Sequence, residues 1–350
     1  MPTSHLVRPD ADPQAMRAAV HAFPDHLKTG WDAGADADDL TLYDGIDGVV
    51  VCGMGGSAIG GDLVRALVAA ESPVPFAVNR AYGLPAWVGE RTLVIASSYS
   101  GGTEETLSAH AEAIARGARV VVVTSGGQIA DVAREHQQPT LTIPGGLQPR
   151  AALGYSLGAL LRLARAAGLL VISDAAFDDA LAAARARSDA FDADADGNPA
   201  RDLSAAWVDR LPLVYTDAGL LEAVGLRWRT QIHENAKHPA VGNVFPELDH
   251  NEIMGFEEGP AALLDAMAVV VLRDVDDHPQ VQKRVAATRD LVAPAIADWR
   301  EVESEGSSRL SRMLSLVQLG DWASFWLAMR KGVDPTPVET IQALKRQLAA

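Results

Sequence analysis

The residues best placed to do chemistry lie at the ends of two apolar runs. In VVVCGMGGSAIGGDL, residues 49–63, a β-branched strand runs into a glycine cluster and then into a helical pattern. Such a turn brings bare backbone N–H groups close to something negative. Gly53, Gly55 and Ala58 meet the spacing G-x-G-x-x-A of a dinucleotide site. That site also needs a carboxylate about 20 residues on, to hold a ribose hydroxyl. The stretch PFAVNRAYGLP has none and offers Arg80 for a 2′-phosphate instead. Tight strand-to-helix packing without a ligand accounts for the same glycines. The second turn discriminates better. In LVIASSYSGGTEETL, residues 93–107, hydroxyls at Ser98, Ser100 and Thr103 accompany Gly101, Gly102 and the start of a helix. These are the groups that one phosphate monoester needs. Any one hydroxyl would serve as an ordinary helix cap, but three with two glycines on a separate turn favour a phosphate pocket over both rival readings.

The elements that must position these turns alternate along the chain. Met16, Val20, Phe23 and Leu27 fall at helical spacing in a lead-in that occupies residues 1–43. From there DGVVVCG, SPVPFAV, RTLVIASS, ARVVVVTS and PTLTIPG read as strands separated by helical patterns, and PRAALGYSLGALLRLARAAGLL closes the unit at 171. Buried continuous strands alternating with helices predict an α/β fold with a parallel, doubly wound sheet over 44–171. Residues 172–204 are rich in Ala and Asp and break at Asp-Gly-Asn-Pro, which predicts a connector containing a helix. A second α/β unit, 205–350, repeats the strand–Gly–helix opening at LPLVYTDAG and adds the strand AMAVVVLRD and two C-terminal helices. Trp322, Phe325 and Trp326 recur at helical spacing and read as core or dimer interface.

Composition narrows the function classes. The chain of 350 residues is 48% hydrophobic and carries a formal charge of −16, which argues against nucleic acid or an anionic membrane surface as partner. A helix N-terminus can still favour a small anion locally. Cys52 is the single cysteine, so no intramolecular disulfide forms and a reducing compartment is expected. The N-terminus lacks a basic start followed by an apolar run, and no stretch of about 18 apolar residues occurs, so a cytoplasmic protein with no membrane span is expected. His233, Glu234 and His238 suggest a zinc helix at first sight. Histidines five apart stand about 140° apart around a helix, so shared ligation, and with it a metal site, is not expected.

Together GMGGSAIGGD and SSYSGGTEET resemble the sugar isomerase (SIS) domain, a flavodoxin-like module that binds phosphosugars. The segments PRAALGYSLG, LRWRTQIHENAKHPA, PELDHNEIMGF and RLSRMLSLVQLGDWASFWLAMRKGVDPTPVETIQALK carry the resemblance further, to the bifunctional phosphoglucose/phosphomannose isomerases, from about residue 44 to the C-terminus. Gly102 and His233 each stand where that family commonly has Asn. The resemblance implies two flavodoxin-like doubly wound SIS domains. It also implies an aldose–ketose isomerase that interconverts fructose 6-phosphate with glucose 6-phosphate and mannose 6-phosphate through a cis-enediol(ate), with no cofactor and no metal. Gly56, Ser57, Ser98, Ser100 and Thr103 would bind the phosphosugar. By the same resemblance Glu234 is the base that moves the proton, and a carboxylate of ordinary pKa is ionised for that role at neutral pH. The bland alternative pairs Glu234 with Lys237 at i+3. Arg150 would hold the enediolate, which suits a cation placed where a helix start disfavours it. His250 would open the sugar ring, reaching the active site of a neighbouring subunit in a homodimer, and Lys345 would assist ring opening. A non-catalytic phosphosugar-binding regulator, an isomerase of another phosphosugar and a nicotinamide-dependent dehydrogenase are the competing functions.

Overall fold

A computed structural model of the chain describes residues 8–38 and 41–348, so the expected lead-in over 1–43 lies partly outside the described residues. Within it, α1 (Met16–His21) and α2 (Phe23–Ala33) bury Met16, Val20, Phe23 and Leu27. The chain divides into two compact units, each with its own parallel sheet.

The first unit comprises residues 21–186 and 306–311. Its strands are β1 (Gly48–Cys52), β2 (Phe76–Asn79), β3 (Thr92–Ser98), β4 (Arg119–Thr124) and β5 (Thr140–Thr142), all parallel in the order β2-β1-β3-β4-β5. β1 and β3 are buried along their whole length, which is why they read as unbroken apolar runs rather than alternating ones. The covering helices are α3 (Gly55–Val68), α4 (Glu104–Ala115), α5 (Gln128–Glu135) and α6 (Leu153–Ala166). Val50, Cys52, Val94, Ala96 and Val122 pack with Ala109 and Ala113 of α4 and with Ile129 and Ala133 of α5. On the other face α3 comes so close that a Cβ on Gly61 would stand 2.9 Å from Val51 Cγ1. From β1 the chain winds outward to β2, and from β3 it winds the other way to β4 and β5. The crevice beyond the carboxyl ends of β1 and β3 is therefore the switch point of the sheet, where doubly wound folds bind ligands. Both turns singled out above follow these two strands.

The helix α7 (Asp174–Asp192) fills most of the expected connector. Asn198 ends the polar break by capping α8 (Pro199–Trp207), accepting from Ala200 N at 3.0 Å and Arg201 N at 3.4 Å.

The second unit comprises, of the described residues, 8–20, 187–305 and 312–348. Its elements are β6 (Leu211–Asp217), α9 (Glu222–Ala236), β7 (Val241–Phe245), α10 (Ala261–Leu264), β8 (Met267–Arg273), α11 (Pro279–Val292), β9 (Asp298–Glu303), α12 (Arg309–Lys331, from 312 onward) and α13 (Glu339–Leu348). The strands are parallel in the order β7-β6-β8-β9. The edge strands β7 and β9 escape a sequence reading because VGNVF is short and mostly half-exposed, and DWREVE is charged and partly exposed. Trp322, Phe325 and Trp326 are core rather than surface: all three are buried, and Trp322 stacks on Trp326 with ring centroids 6.0 Å apart. Among the described residues no helix is long and apolar enough to cross a membrane.

Candidate active site

The phosphate-binding candidates converge in the first unit. Met54 leads into α3 in an extended conformation, with no side chain capping the helix. Ser57, in the first turn of α3, is buried, and its Oγ accepts a hydrogen bond from Tyr99 N at 3.3 Å. That bond fastens the first turn to the second and leaves the Ser57 hydroxyl its own proton to donate. In the second turn Ser98 Oγ donates to Thr103 Oγ1 at 3.0 Å, drawing the two ends of the turn together, while Ser100 is exposed. Tyr99 braces the turn from below: its carbonyl accepts from Ser125 Oγ at 2.7 Å and its phenol oxygen from Leu147 N at 3.1 Å. Gly101 has φ +70°, and a Cβ there would stand 1.7 Å from Gly126 O. Gly102 has no such constraint, with nothing within 4 Å of an added Cβ.

Electrostatics shifts the weight between the turns. α4 carries Glu104 and Glu105 in its first turn, whereas α3 has no acidic residue there. The positive end of α3 is unopposed by its own side chains and is the stronger anion acceptor of the two. Arg150 joins it. This residue is 4% exposed and lies in the turn ahead of α6, which opens only at Leu153. A Cβ on Gly56 would meet Pro149 O at 2.7 Å and Arg150 Cα at 3.6 Å, so Arg150 and the start of α3 share one corner. Arg80, by contrast, is engaged elsewhere. Its guanidinium pairs with the buried Asp62 of α3, which removes the one group that a dinucleotide reading had for a 2′-phosphate.

In the second unit α9 ends at Ala236, with Lys237 as its left-handed cap at φ +46°. Glu234, in the last turn, is half-buried and lines a cavity of ≈ 300 Å³ together with His233, Lys237 and residues 337–341. Lys237 Nζ donates to the carbonyls of Glu234 at 2.8 Å and Pro335 at 2.9 Å, tying the helix end to the segment that forms the opposite wall. His233 and His238 do not converge. His233 Nε2 lies 2.9 Å from Ala240 O, and His238 Nε2 lies 2.6 Å from Arg210 O. Among the described residues no group of three His, Cys, Asp or Glu side chains is arranged to hold a metal ion. His250 ends a short 3₁₀ turn, Glu247–His250, and is exposed; the turn is anchored by Asp249, which accepts from Thr288 Oγ1 at 2.8 Å and Arg284 Nη1 at 3.2 Å. Lys345 is exposed on α13. Neither His250 nor Lys345 lines the Glu234 cavity of its own chain. The 337–341 wall and the Lys237 tether were not singled out from sequence, although the proline pair in PTPV ahead of α13 marks a rigid approach to that helix.

The carboxyl end of the second sheet differs in kind from the first. β6 finishes in Asp217, whose carboxyl is pushed up to about 6 by burial and, next, by Asp277, with Asp274 adding to the effect. Asp277 and Asp274 there are paired with Arg273 at 2.9 Å and Arg312 at 3.0 Å, an ion-paired cluster unlike the hydroxyl-rich turns of the first unit.

Comparison with known proteins settles the family. A family model for the bacterial phospho-glucose isomerase C-terminal SIS domain matches residues 196–348. The bifunctional phosphoglucose/phosphomannose isomerase of Caldicellulosiruptor bescii is 41% identical over 336 residues, covering 95% of this chain and 99% of that protein. The chain belongs to the bifunctional phosphoglucose/phosphomannose isomerase family. Its counterpart in Aquifex aeolicus is 35% identical over 313 residues, covering 89% of this chain and 92% of that protein. Among solved structures, the C-terminal domain of glucosamine-fructose-6-phosphate aminotransferase from Francisella tularensis superposes with a TM-score of 0.72 at 15% identity, covering 94% of this chain and 99% of that one. Tagatose-6-phosphate ketose/aldose isomerase from Escherichia coli gives 0.66 at 16% identity, covering 91% and 93%. These two likenesses establish the shared fold. Within the isomerase family pattern, the two departures acquire structural accounts: Gly102 faces open space, and the His233 ring is held by the Ala240 backbone.

Proposed function

We propose that this chain is an aldose–ketose isomerase acting on fructose 6-phosphate, glucose 6-phosphate and mannose 6-phosphate through a cis-enediol(ate). Membership in the isomerase family supports the reaction. The observation that carries the site assignment is the Ser57–Tyr99 bond, which joins two turns whose bonded residues are 42 apart and so supports reading them as one anion-binding corner. In this reading the phosphate rests on the N–H groups of Gly56 and the start of α3, with Ser57, Ser100 and Thr103 donating hydroxyls and Ser98 orienting Thr103 through the bond it donates. Arg150, beside Gly56, holds the developing enediolate oxygen. Glu234 takes the proton from one carbon and returns it to the other, and turning the enediol about C2–C3 presents either face of C2 to the same carboxylate. His250 and Lys345 open the ring. Their exposure outside the Glu234 cavity fits a homodimer in which His250 serves the neighbouring subunit. A single, buried Cys52 fits a cytoplasmic location.

The test is a coupled assay that starts from fructose 6-phosphate in the presence of EDTA, following each aldose separately. Turnover to both aldoses is expected, and Glu234→Gln should lower kcat by about 10²–10⁴-fold, the range that a positioned acid–base group contributes. A folded protein that binds the sugar phosphate but forms neither aldose would mean a non-catalytic regulator.

A further inference from the structure

The interior side of α9 carries an unusual stripe. Arg227, Gln231 and Asn235 follow one another at four-residue spacing, and all three are buried. They meet polar groups of α12. Arg227 Nη2 donates to Asp321 Oδ2 at 2.6 Å, and Gln231 Nε2 donates to Asp321 Oδ1 at 2.9 Å. One turn on, Asn235 Nδ2 donates to Ser324 Oγ at 2.9 Å, and Ser324 Oγ donates to Asp321 O at 2.7 Å. Trp228 adds a fourth tie, donating from Nε1 to Leu316 O at 2.7 Å, with its ring pressed against Gly320, where a Cβ would fall 2.3 Å from the indole.

Stability does not call for this arrangement. The attraction within a buried ion pair is largely cancelled by the loss of hydration, and apolar residues of similar volume hold two helices together equally well. Apolar packing is non-directional, whereas hydrogen bonds have preferred lengths and angles. Bonds spread over more than two turns of α9 therefore fix its rotation about its own axis. Glu234 leaves the helix one residue before Asn235, about 100° around it, so the rotation set by the stripe sets the direction of the carboxylate. At about 5–6 Å from the axis, a turn of about 10° swings that carboxylate by about 1 Å, and a misplacement of 1 Å costs on the order of 10²-fold in rate.

We infer that Asp321 and the polar stripe Arg227, Gln231 and Asn235 are positioning residues, a rotational lock that aims Glu234 into its cavity. The inference rests on Glu234 being the base. It is tested with the triple variant Arg227→Met, Gln231→Leu, Asp321→Leu, which removes both side-chain bonds to Asp321 together with both charges of that pair. Thermal unfolding and the kinetics of fructose 6-phosphate isomerisation are measured for this variant, for Glu234→Gln and for the two combined. The lock predicts a folded triple variant with a melting temperature close to the parent's, kcat lowered about tenfold or more, and KM little changed. It also predicts no further loss when the triple change is added to Glu234→Gln, because a lock acting through Glu234 has nothing left to aim. A folded triple variant with the parent's kcat overturns the lock, as does an additive loss on top of Glu234→Gln. If the triple variant does not fold, Ser324→Ala decides: lowered kcat at constant KM supports the lock, and an unchanged kcat overturns it. Full activity in Glu234→Gln would instead sink the assignment of the base itself, which separates the two failures.

Discussion

Adjacent glycines in the turn after β3 should respond very differently to the same substitution. At Gly101 the backbone has φ +70°, a left-handed conformation that costs an alanine about 1–2 kcal/mol. The added Cβ would also stand 1.7 Å from Gly126 O, while real Cβ atoms keep at least 3.0 Å, so the turn must retreat by more than 1 Å. The neighbour is backbone and cannot swing aside as a long side chain would. A retreat of that size pulls on the Ser98–Thr103 bond and on the Tyr99–Ser57 bond, which together shape the proposed phosphate corner. Since a 1 Å misplacement costs on the order of 10²-fold, Gly101→Ala should lower kcat/KM for fructose 6-phosphate by about two orders of magnitude. The strain alone should lower Tm by about 2–8 °C. Gly102→Ala is the control: with open space around it and no left-handed φ, it should stay within about twofold of the parent. The reasoning would be refuted if folded Gly101→Ala kept the parent's kcat/KM, or if Gly102→Ala did equal damage.

Three further outcomes follow from other parts of the molecule. Asp217 has a folded pKa raised from 3.8 to about 6, so its ionisation opposes folding; the penalty is absent below the unfolded pKa and complete above the folded one, up to about 3 kcal/mol. Asp217→Asn should therefore raise the urea midpoint relative to the parent at about pH 7.5, and by only about a fifth as much in free energy at about pH 4. Burial pushes the Cys52 thiol up to about 12, so iodoacetamide at mildly alkaline pH should leave the native protein unlabelled and add one mass increment after unfolding; rapid native labelling would contradict the packing of β1. Co-refolded Glu234→Gln and His250→Ala chains, each inactive alone, should recover about a quarter of the parent activity if His250 acts across a two-fold interface, and none if both residues serve the same chain.

The fold was readable because a doubly wound parallel sheet leaves a plain trace: β1 and β3 are buried on both faces and so appear as unbroken apolar runs, each followed by a turn with a chemical signature. Glu234, His250, Arg150 and Lys345 were singled out through long motifs rather than through any local physical signal, and their roles are proposals. Strands β7 and β9 were not, since a half-exposed edge strand is held by its neighbour in the sheet and needs no apolar run of its own. The residue types alone left open which glycine is obligatory, which corner the start of α3 shares, and whether Arg80 was available. Each of those depended on what lies opposite in space: Gly126 behind Gly101, Pro149 and Arg150 beside Gly56, Asp62 against Arg80. The sequence by itself determined the alternation of elements and the chemical inventory, because periodicity and residue type are local properties. The tertiary structure decided which members of that inventory share a corner, because strand order and helix rotation are set by contacts between residues far apart in the chain.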